Sequence, residues 1–265
     1  MKRLHNEPST SALLQEAAAT LARKCDALKF AAPVAFTYNP LDYAWSAHRA
    51  FLSRARMSPT VLFVGMNPGP FGMAQTGVPF GEVASVRDFL GIDERTVQIA
   101  APKRMHPKRP IEGFACKRSE VSGARVWSWA RERFGSADEF FRQAFVWNWC
   151  PLAFMSQTGA NLTPDKLPCV GRGSTSVRAL ESACDEALAA AIDALEPKNV
   201  VGFGAFAADR ARRVIDAMPP RASAAAPPRV HKVLHPSPAS PAANRGWAPQ
   251  VDQQLAAAGI VFGRK

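Results

Sequence analysis

The alternation of apolar and polar residues predicts four short strands separated by helices. Thr60-Val-Leu-Phe-Val-Gly65 is apolar on both alternating faces, the pattern of a strand buried on both sides of a parallel sheet. Ala144-Phe-Val-Trp-Asn-Trp149, Asn199-Val-Val-Gly-Phe203 and Arg229-Val-His-Lys-Val-Leu234 are further strand candidates, and each leads into a turn. Between them Val177, Leu180, Cys184, Leu188, Ile192 and Leu195 recur at three- and four-residue steps, after the capping-capable Ser174-Thr175-Ser176 and before the stop at Pro197. Trp247, Val251 and Leu255 give a last helix the same kind of face. The segment from Ser9 to Phe30, rich in Ala and Leu, places Leu13, Ala17, Leu21 and Cys25 at four-residue steps and predicts an amphipathic helix covering one side of the core.

Strands alternating with helices imply an α/β fold of three layers, a central four-stranded parallel sheet flanked by helices. Ligands of such folds sit at the carboxyl ends of the strands, so the loops after residues 65, 149 and 234 are expected to converge on one cleft. The length of 265 residues and the 47% apolar content suit a single domain over 1–265, with the helical segment 1–30 packed on it. The Pro/Ala/Ser stretch from Pro219 to Pro228 predicts a flexible loop, not a domain boundary.

Charge narrows the partner. Lys and Arg number 33 against 22 Asp and Glu, a formal net charge of +11, which favours nucleic acid or an anionic membrane surface. Membrane binding is the weaker reading, because no apolar run is long enough to span a bilayer and the polar opening leads into no signal-peptide core. A cytoplasmic protein is expected, nucleoid-associated in a bacterium or nuclear in a eukaryote. Cys25, Cys116, Cys150, Cys169 and Cys184 are scattered without CxxC spacing, so reduced thiols are expected and neither a metal nor any other cofactor.

Two loops carry candidate chemistry. The first runs from Gly65-Met66-Asn67-Pro68-Gly69-Pro70-Phe71-Gly72 to Phe80-Gly81-Glu82, and its glycines and prolines fix an irregular backbone that can approach a planar ligand closely. Asn67 can hold a water there or cap the turn; Phe80 can stack on a base or belong to the core. The last loop, His235-Pro236-Ser237-Pro238-Ala239-Ser240-Pro241, is stiffened by its prolines, so a histidine at its base is held in one orientation.

Together the two loops resemble the motifs of the single-strand-selective monofunctional uracil-DNA glycosylases, the third family of the uracil-DNA glycosylase superfamily. Shorter stretches are also similar: Tyr38-Asn39-Pro40 with Tyr43-Ala44-Trp45, Ser119-Glu120-Val121-Ser122-Gly123-Ala124-Arg125, Asn148-Trp149-Cys150-Pro151-Leu152 and Asn161-Leu162-Thr163-Pro164. The resemblance runs from about residue 34 to the end, and it implies the uracil-DNA glycosylase fold.

It further implies a repair enzyme that flips a uracil-type base out of DNA and hydrolyses its N-glycosidic bond. By the resemblance Asn67 positions the attacking water, Phe80 stacks on the base, Asn148 reads its edge and His235 faces its O2. The residue types suit the chemistry. Negative charge develops on the departing base, and a donor at O2 stabilises it. A carboxamide accepts from N3–H and donates to a carbonyl, a pairing that cytosine inverts. Where the main uracil glycosylases use Asp, Asn67 orients water without taking its proton, which implies a slower enzyme. The resemblance places Met66 and Gly69 beside C5 of the base, leaving room for a 5-substituent such as hydroxymethyl. No lysine lies in the matched motifs, so base removal without strand cleavage is expected. Ala239 departs from the pattern: a large basic residue can occupy this place in the duplex-penetrating loop, and its loss favours single-stranded or mismatched DNA, where flipping costs less.

The DNA contacts are expected at Ser119, Ser122, Ser237, Pro238, Ala239, Lys117 and Arg118, the last two within a basic cluster that includes Lys103, Arg104, His106, Lys108 and Arg109. A monomer on single- or double-stranded DNA is the expected partner state. Trp127, Trp129, Trp147 and Trp149 are read as core, and Gly202-Phe203-Gly204 is too short a glycine pattern for a dinucleotide site. The rivals are a mismatch-specific uracil/thymine-type glycosylase, against which the His235-Pro236-Ser237-Pro238 loop argues, and a non-catalytic nucleic-acid-binding protein, in which Asn67 or His235 is expected to be replaced.

Overall fold

The computed structural model describes residues 8–168, 174–219 and 226–263. Helix α1 (Thr10–Asp26), strand β1 (Phe36–Tyr38) and helices α2 (Pro40–Tyr43) and α3 (Trp45–Leu52) precede the first central strand, β2 (Val61–Gly65). Then come α4 (Met73–Thr76), α5 (Val83–Asp88), α6 (Val121–Phe134), α7 (Ala137–Gln143), β3 (Ala144–Asn148), β4 (Ala153–Met155) and β5 (Asn161–Leu162). The chain closes with α8 (Ser174–Leu195), β6 (Asn199–Phe203), α9 (Ala205–Ala217), β7 (Arg229–Val233), α10 (Pro241–Asn244) and α11 (Trp247–Ala257).

The predicted strands form one four-stranded sheet in the order β3-β2-β6-β7, parallel throughout. Every residue of β2 and β3 is buried, as their two-sided apolar pattern requires. Phe63 and Phe203 stack on one face, where Trp129 of α6 meets Phe63 edge-on and Trp247 of α11 lies tilted against Phe203. On the other face Gly202 admits α9, because a Cβ at this position would strike the backbone of Ala208. All six residues of the predicted α8 stripe are buried, and so are the four tryptophans read as core.

Two expectations need correction, and a third feature was not expected. Helix α1 ends at Asp26, and its buried face is Leu14, Ala18, Leu21, Ala22 and Cys25, while Leu13 is 42% exposed. A four-residue step advances about 40° beyond a full turn of helix, so the series Leu13, Ala17, Leu21, Cys25 drifts from the outer side to the inner one. Leu13 and Ala17 instead flank an apolar groove between α1 and α8. Ser174, Thr175 and Ser176 lie inside the first turn of α8 and do not precede it. The third concerns β1, β4 and β5, which form a separate antiparallel sheet that the apolar pattern did not announce.

Cys25, Cys116, Cys150 and Cys184 are buried free thiols, and Cys169 lies outside the described residues. Of the Pro219–Pro228 loop, residues 220–225 lie outside them as well. Among the described residues no helix is long and apolar enough to cross a membrane.

Candidate active site

The carboxyl ends of β2, β3 and β7 open into one cleft of about 410 Å³, to which Asn67, Phe80, Asn148 and His235 all contribute. The loop after β2 starts zipped to the segment after β3, since Trp149 N–H donates to Gly65 O and Cys150 N–H to Met66 O, both at 2.9 Å. Asn67 continues this join with its side chain, Nδ2 donating to Leu152 O at 3.2 Å. A carbonyl partner assigns the nitrogen to this side of the amide, so Oδ1 remains an acceptor for water.

Asn148 and Phe80 close on Gly65. A Cβ at residue 65 would collide with Asn148 Oδ1 and come within 2.7 Å of Phe80 Cε2, so only glycine lets the carboxamide and the ring share this floor. Asn148 Nδ2 donates to Met73 Sδ at 3.2 Å, while its Oδ1 is buried without a partner. An unpaired buried acceptor costs about 1–3 kcal/mol, a cost that a donor arriving in the cleft removes. Phe80 adopts a left-handed backbone, φ 53°, rare for an aromatic residue, and its ring packs edge-on against Phe203 at 5.0 Å. Its carbonyl is held by Trp127 Nε1 at 3.0 Å.

His235 faces the same cleft from beyond β7, seated on Gly204, where a Cβ would approach its own Cβ to 3.3 Å. Ser237 N–H donates to His235 Nδ1 at 3.0 Å. Nδ1 is therefore the acceptor, and the neutral ring carries its proton on Nε2. Burial pushes the imidazole below its ordinary value of 6.5, which keeps it neutral.

Met66, Gly69, Ser122, Ser237 and Pro238 also border the cleft, but Ser119 and Ala239 do not. Ser119 is exposed on a neighbouring groove between α6 and the α10–α11 corner, and Ala239 is exposed at the loop tip, its N–H donating to Ser237 Oγ at 3.1 Å. Lys117 and Arg118 are exposed; the Arg118 guanidinium lies over the Phe71 ring at 3.9 Å, which docks the basic segment on the first loop. His106 leaves the basic cluster altogether: it is buried, with Nε2 bonded to Gln157 O at 3.1 Å and its backbone N–H to Tyr38 Oη at 2.7 Å. A histidine so enclosed is part of a turn, not of a phosphate-binding surface.

The cleft also holds Glu120, Met73, Asn161 and Thr163, none of which the sequence singled out. Glu120 Oε2 is buried without a partner against Gly69, where a Cβ would collide with it. Burial pushes its carboxyl above the ordinary glutamate range, opposed by the backbone amides of Phe71 and Ser122. The signal for Glu120, Asn161 and Thr163 was their place in short familiar stretches; nothing in residue spacing located Met73 under Asn148. Among the described residues no cluster of three or more His, Cys, Asp or Glu is placed to hold a metal.

Residues 53–254 match the family model of the uracil DNA glycosylase superfamily. The chain is 47% identical over 235 residues to the single-strand selective monofunctional uracil-DNA glycosylase of Rattus norvegicus, covering 88% of this chain and 80% of the relative. The Mus musculus and Bos taurus proteins of the same description are 46% and 44% identical over the same length, with 79% and 81% of the relatives covered. In fold it is similar to the crystal structure of wild-type Pedobacter heparinus SMUG2, with a TM-score of 0.59 at 16% identity over 92% of this chain and 97% of that one. By the extent of these matches the chain belongs to the uracil-DNA glycosylase superfamily and, within it, to the single-strand-selective monofunctional family.

Proposed function

We propose that this protein is a monofunctional DNA glycosylase of base-excision repair, which flips uracil out of DNA and hydrolyses its N-glycosidic bond to leave an abasic site. The observation that carries the reading is the convergence of Asn67, Phe80, Asn148 and His235 on one cleft of about 410 Å³. The flipped base stacks on Phe80, and Asn148 Oδ1 accepts its N3–H. Asn67 Oδ1 holds the attacking water. As the bond to the sugar lengthens, electron density moves onto the base, and the Nε2–H of neutral His235 donates to O2. A neutral donor stabilises the departing anion without transferring a full proton to it.

The C5 side of the base lies against Met66 and Gly69, and its accommodation of a hydroxymethyl group makes 5-hydroxymethyluracil a second substrate. Ser122, Ser237, Pro238 and the exposed Lys117 and Arg118 contact the phosphate backbone, with Ser119 and Ala239 at the edge of that surface. The protein acts as a monomer, in the nucleoid or the nucleus where its substrate lies. With only Ala239 at the loop tip, single-stranded DNA is processed faster than duplex.

The test is excision from oligonucleotides carrying uracil or 5-hydroxymethyluracil, followed by alkali. Wild type is expected to release both bases, and Asn67→Ala and His235→Ala each to lose about 100-fold or more in rate. Variants as active as wild type would refute these roles. Strand breaks before alkali would refute the monofunctional reading.

A further inference from the structure

Arg125, at the start of the second turn of α6, directs its guanidinium to neutral oxygens of the His235 loop and of α10 beyond it. Its Nη1 donates to Pro236 O at 2.9 Å and to Ser237 O at 3.3 Å, and its Nη2 donates to Asn244 Oδ1 at 2.8 Å. Asn244 in turn donates from Nδ2 to Pro238 O at 2.9 Å, so both ends of its amide are fixed.

The Pro236 carbonyl belongs to the same peptide unit as the Ser237 N–H, the group that donates to His235 Nδ1. The peptide unit is planar, so its carbonyl and its N–H point in opposite directions and turn together. The proline ring fixes φ at residue 236 but leaves ψ free to rotate that plane. A cation bonded to the carbonyl stops the rotation and polarises the peptide, which strengthens its N–H as a donor.

We infer that Arg125 is a positioning residue for base excision: through the Pro236–Ser237 peptide it holds His235 in the tautomer whose proton is on Nε2. The inference rests on the proposed role of His235 as donor to the base. It also separates Arg125 from the surface arginines, because its hydrogen bonds serve the loop's interior and not a phosphate. A lysine here supplies the charge but not the planar fork that spans two peptide carbonyls and an amide.

The measurement is nitrogen-15 NMR of histidine-labelled protein, combined with excision kinetics on a single-stranded uracil oligonucleotide. Wild type is expected to show His235 with Nδ1 unprotonated and Nε2 protonated, and Arg125→Met a mixture of tautomers. In the same variant kcat falls by about 10–100-fold, while the oligonucleotide Kd stays within a factor of about three, less than the tenfold that 1.4 kcal/mol represents. Arg125→Lys behaves like Arg125→Met, and guanidinium ion at millimolar concentration partly restores Arg125→Ala. The wild-type tautomer in Arg125→Met, or full kcat in Arg125→Lys, would overturn the inference. Should the Arg125 variants not fold, Asn244→Ala is expected to show the same mixing to a smaller extent, and its absence would be equally decisive. His235→Ala with undiminished excision would instead sink the proposed chemistry and leave the tautomer result standing.

Discussion

The two loops that build the cleft are held by different physics. The loop after β2 adds steric closeness to the hydrogen bonds that join it to the segment after β3: glycines at 65 and 69 let Asn148, Phe80 and Glu120 press against bare backbone, and Phe80 keeps a strained φ. The loop after β7 contains no glycine from His235 to Arg245 and is fixed by hydrogen bonds from outside, together with its prolines. Close packing transmits any added volume directly to the site, whereas a bonded loop loses its order one contact at a time. The first loop should therefore fail abruptly under substitution and the second gradually.

The sharpest break is Gly65→Ala. The new methyl group has no flexible neighbour to displace except the two side chains proposed to hold the base, so overpacking costs about 1–3 kcal/mol of stability. Displacement of Asn148 and Phe80 is expected to lower excision by about 100-fold or more. Thermal melting and single-turnover kinetics check both numbers. Retained activity would mean that the floor of the cleft yields, and the contrast between the loops would fall.

Gly69→Ala comes next, with a smaller effect because the atom in its way, Glu120 Oε2, is the end of a flexible side chain. Its loss of activity should be recovered in part by adding Glu120→Ala, a non-additivity expected only of residues in contact. Glu120→Gln tests the charge separately. Its carboxyl is raised by burial, so the stability it contributes is present below the ordinary value of 4.5 and is lost as pH rises through the folded value. The Gln variant should thus gain stability relative to wild type at pH 8 and not at pH 4.

What was legible in the sequence followed the same division. The strands β2, β3 and β6 were visible because burial on both faces leaves runs such as Val61–Gly65 apolar, β7 only as a short stretch of valines before a turn, and α8 because its stripe keeps mixed three- and four-residue steps. The strands β1, β4 and β5 span three residues or fewer, too short to establish a period. Motif resemblance brought out Asn67, Phe80, Asn148 and His235, and it included Arg125 in a similar stretch without giving it a role. Arg125 acts across 111 residues of sequence on Pro236, and Met73 meets Asn148 across 75. Such pairings depend on the strand order, which no local pattern records. His106 was misread for a related reason: its neighbours in sequence are basic and exposed, while its ring is enclosed by the turn around Gln157.

Acid should separate the cleft from the core. His235 is neutral because burial lowers its pKa from 6.5, so excision should hold down to about pH 6.5 and then fall along a limb lying below that value. His48, buried beside Trp147 with Nδ1 bonded to Gly77 O at 2.8 Å, is lowered further, to about 4. Unfolding lets His48 take up a proton below pH 6.5, so its contribution to stability is present above 6.5 and is lost as pH falls through about 4. The loss is on the order of 3 kcal/mol. Denaturant melts across this range should show a steeper fall in wild type than in His48→Gln, where the slope from His235 remains, with the excision limb common to both.

The smallest effect expected is that of Ser237→Ala. It removes the hydroxyl that accepts the Ala239 N–H at 3.1 Å but leaves the Ser237 N–H, and hence the bond to His235, in place. The freed Ala239 amide is exposed and can turn to water, so the stability cost should stay under about 1 kcal/mol. Excision of uracil from a single strand should change by no more than a few-fold, while excision from duplex DNA, against which this tip is proposed to lie, should suffer more. A loss on single strands as large as that of Gly65→Ala would show that the last loop is as intolerant as the first, and that gradual failure does not describe it.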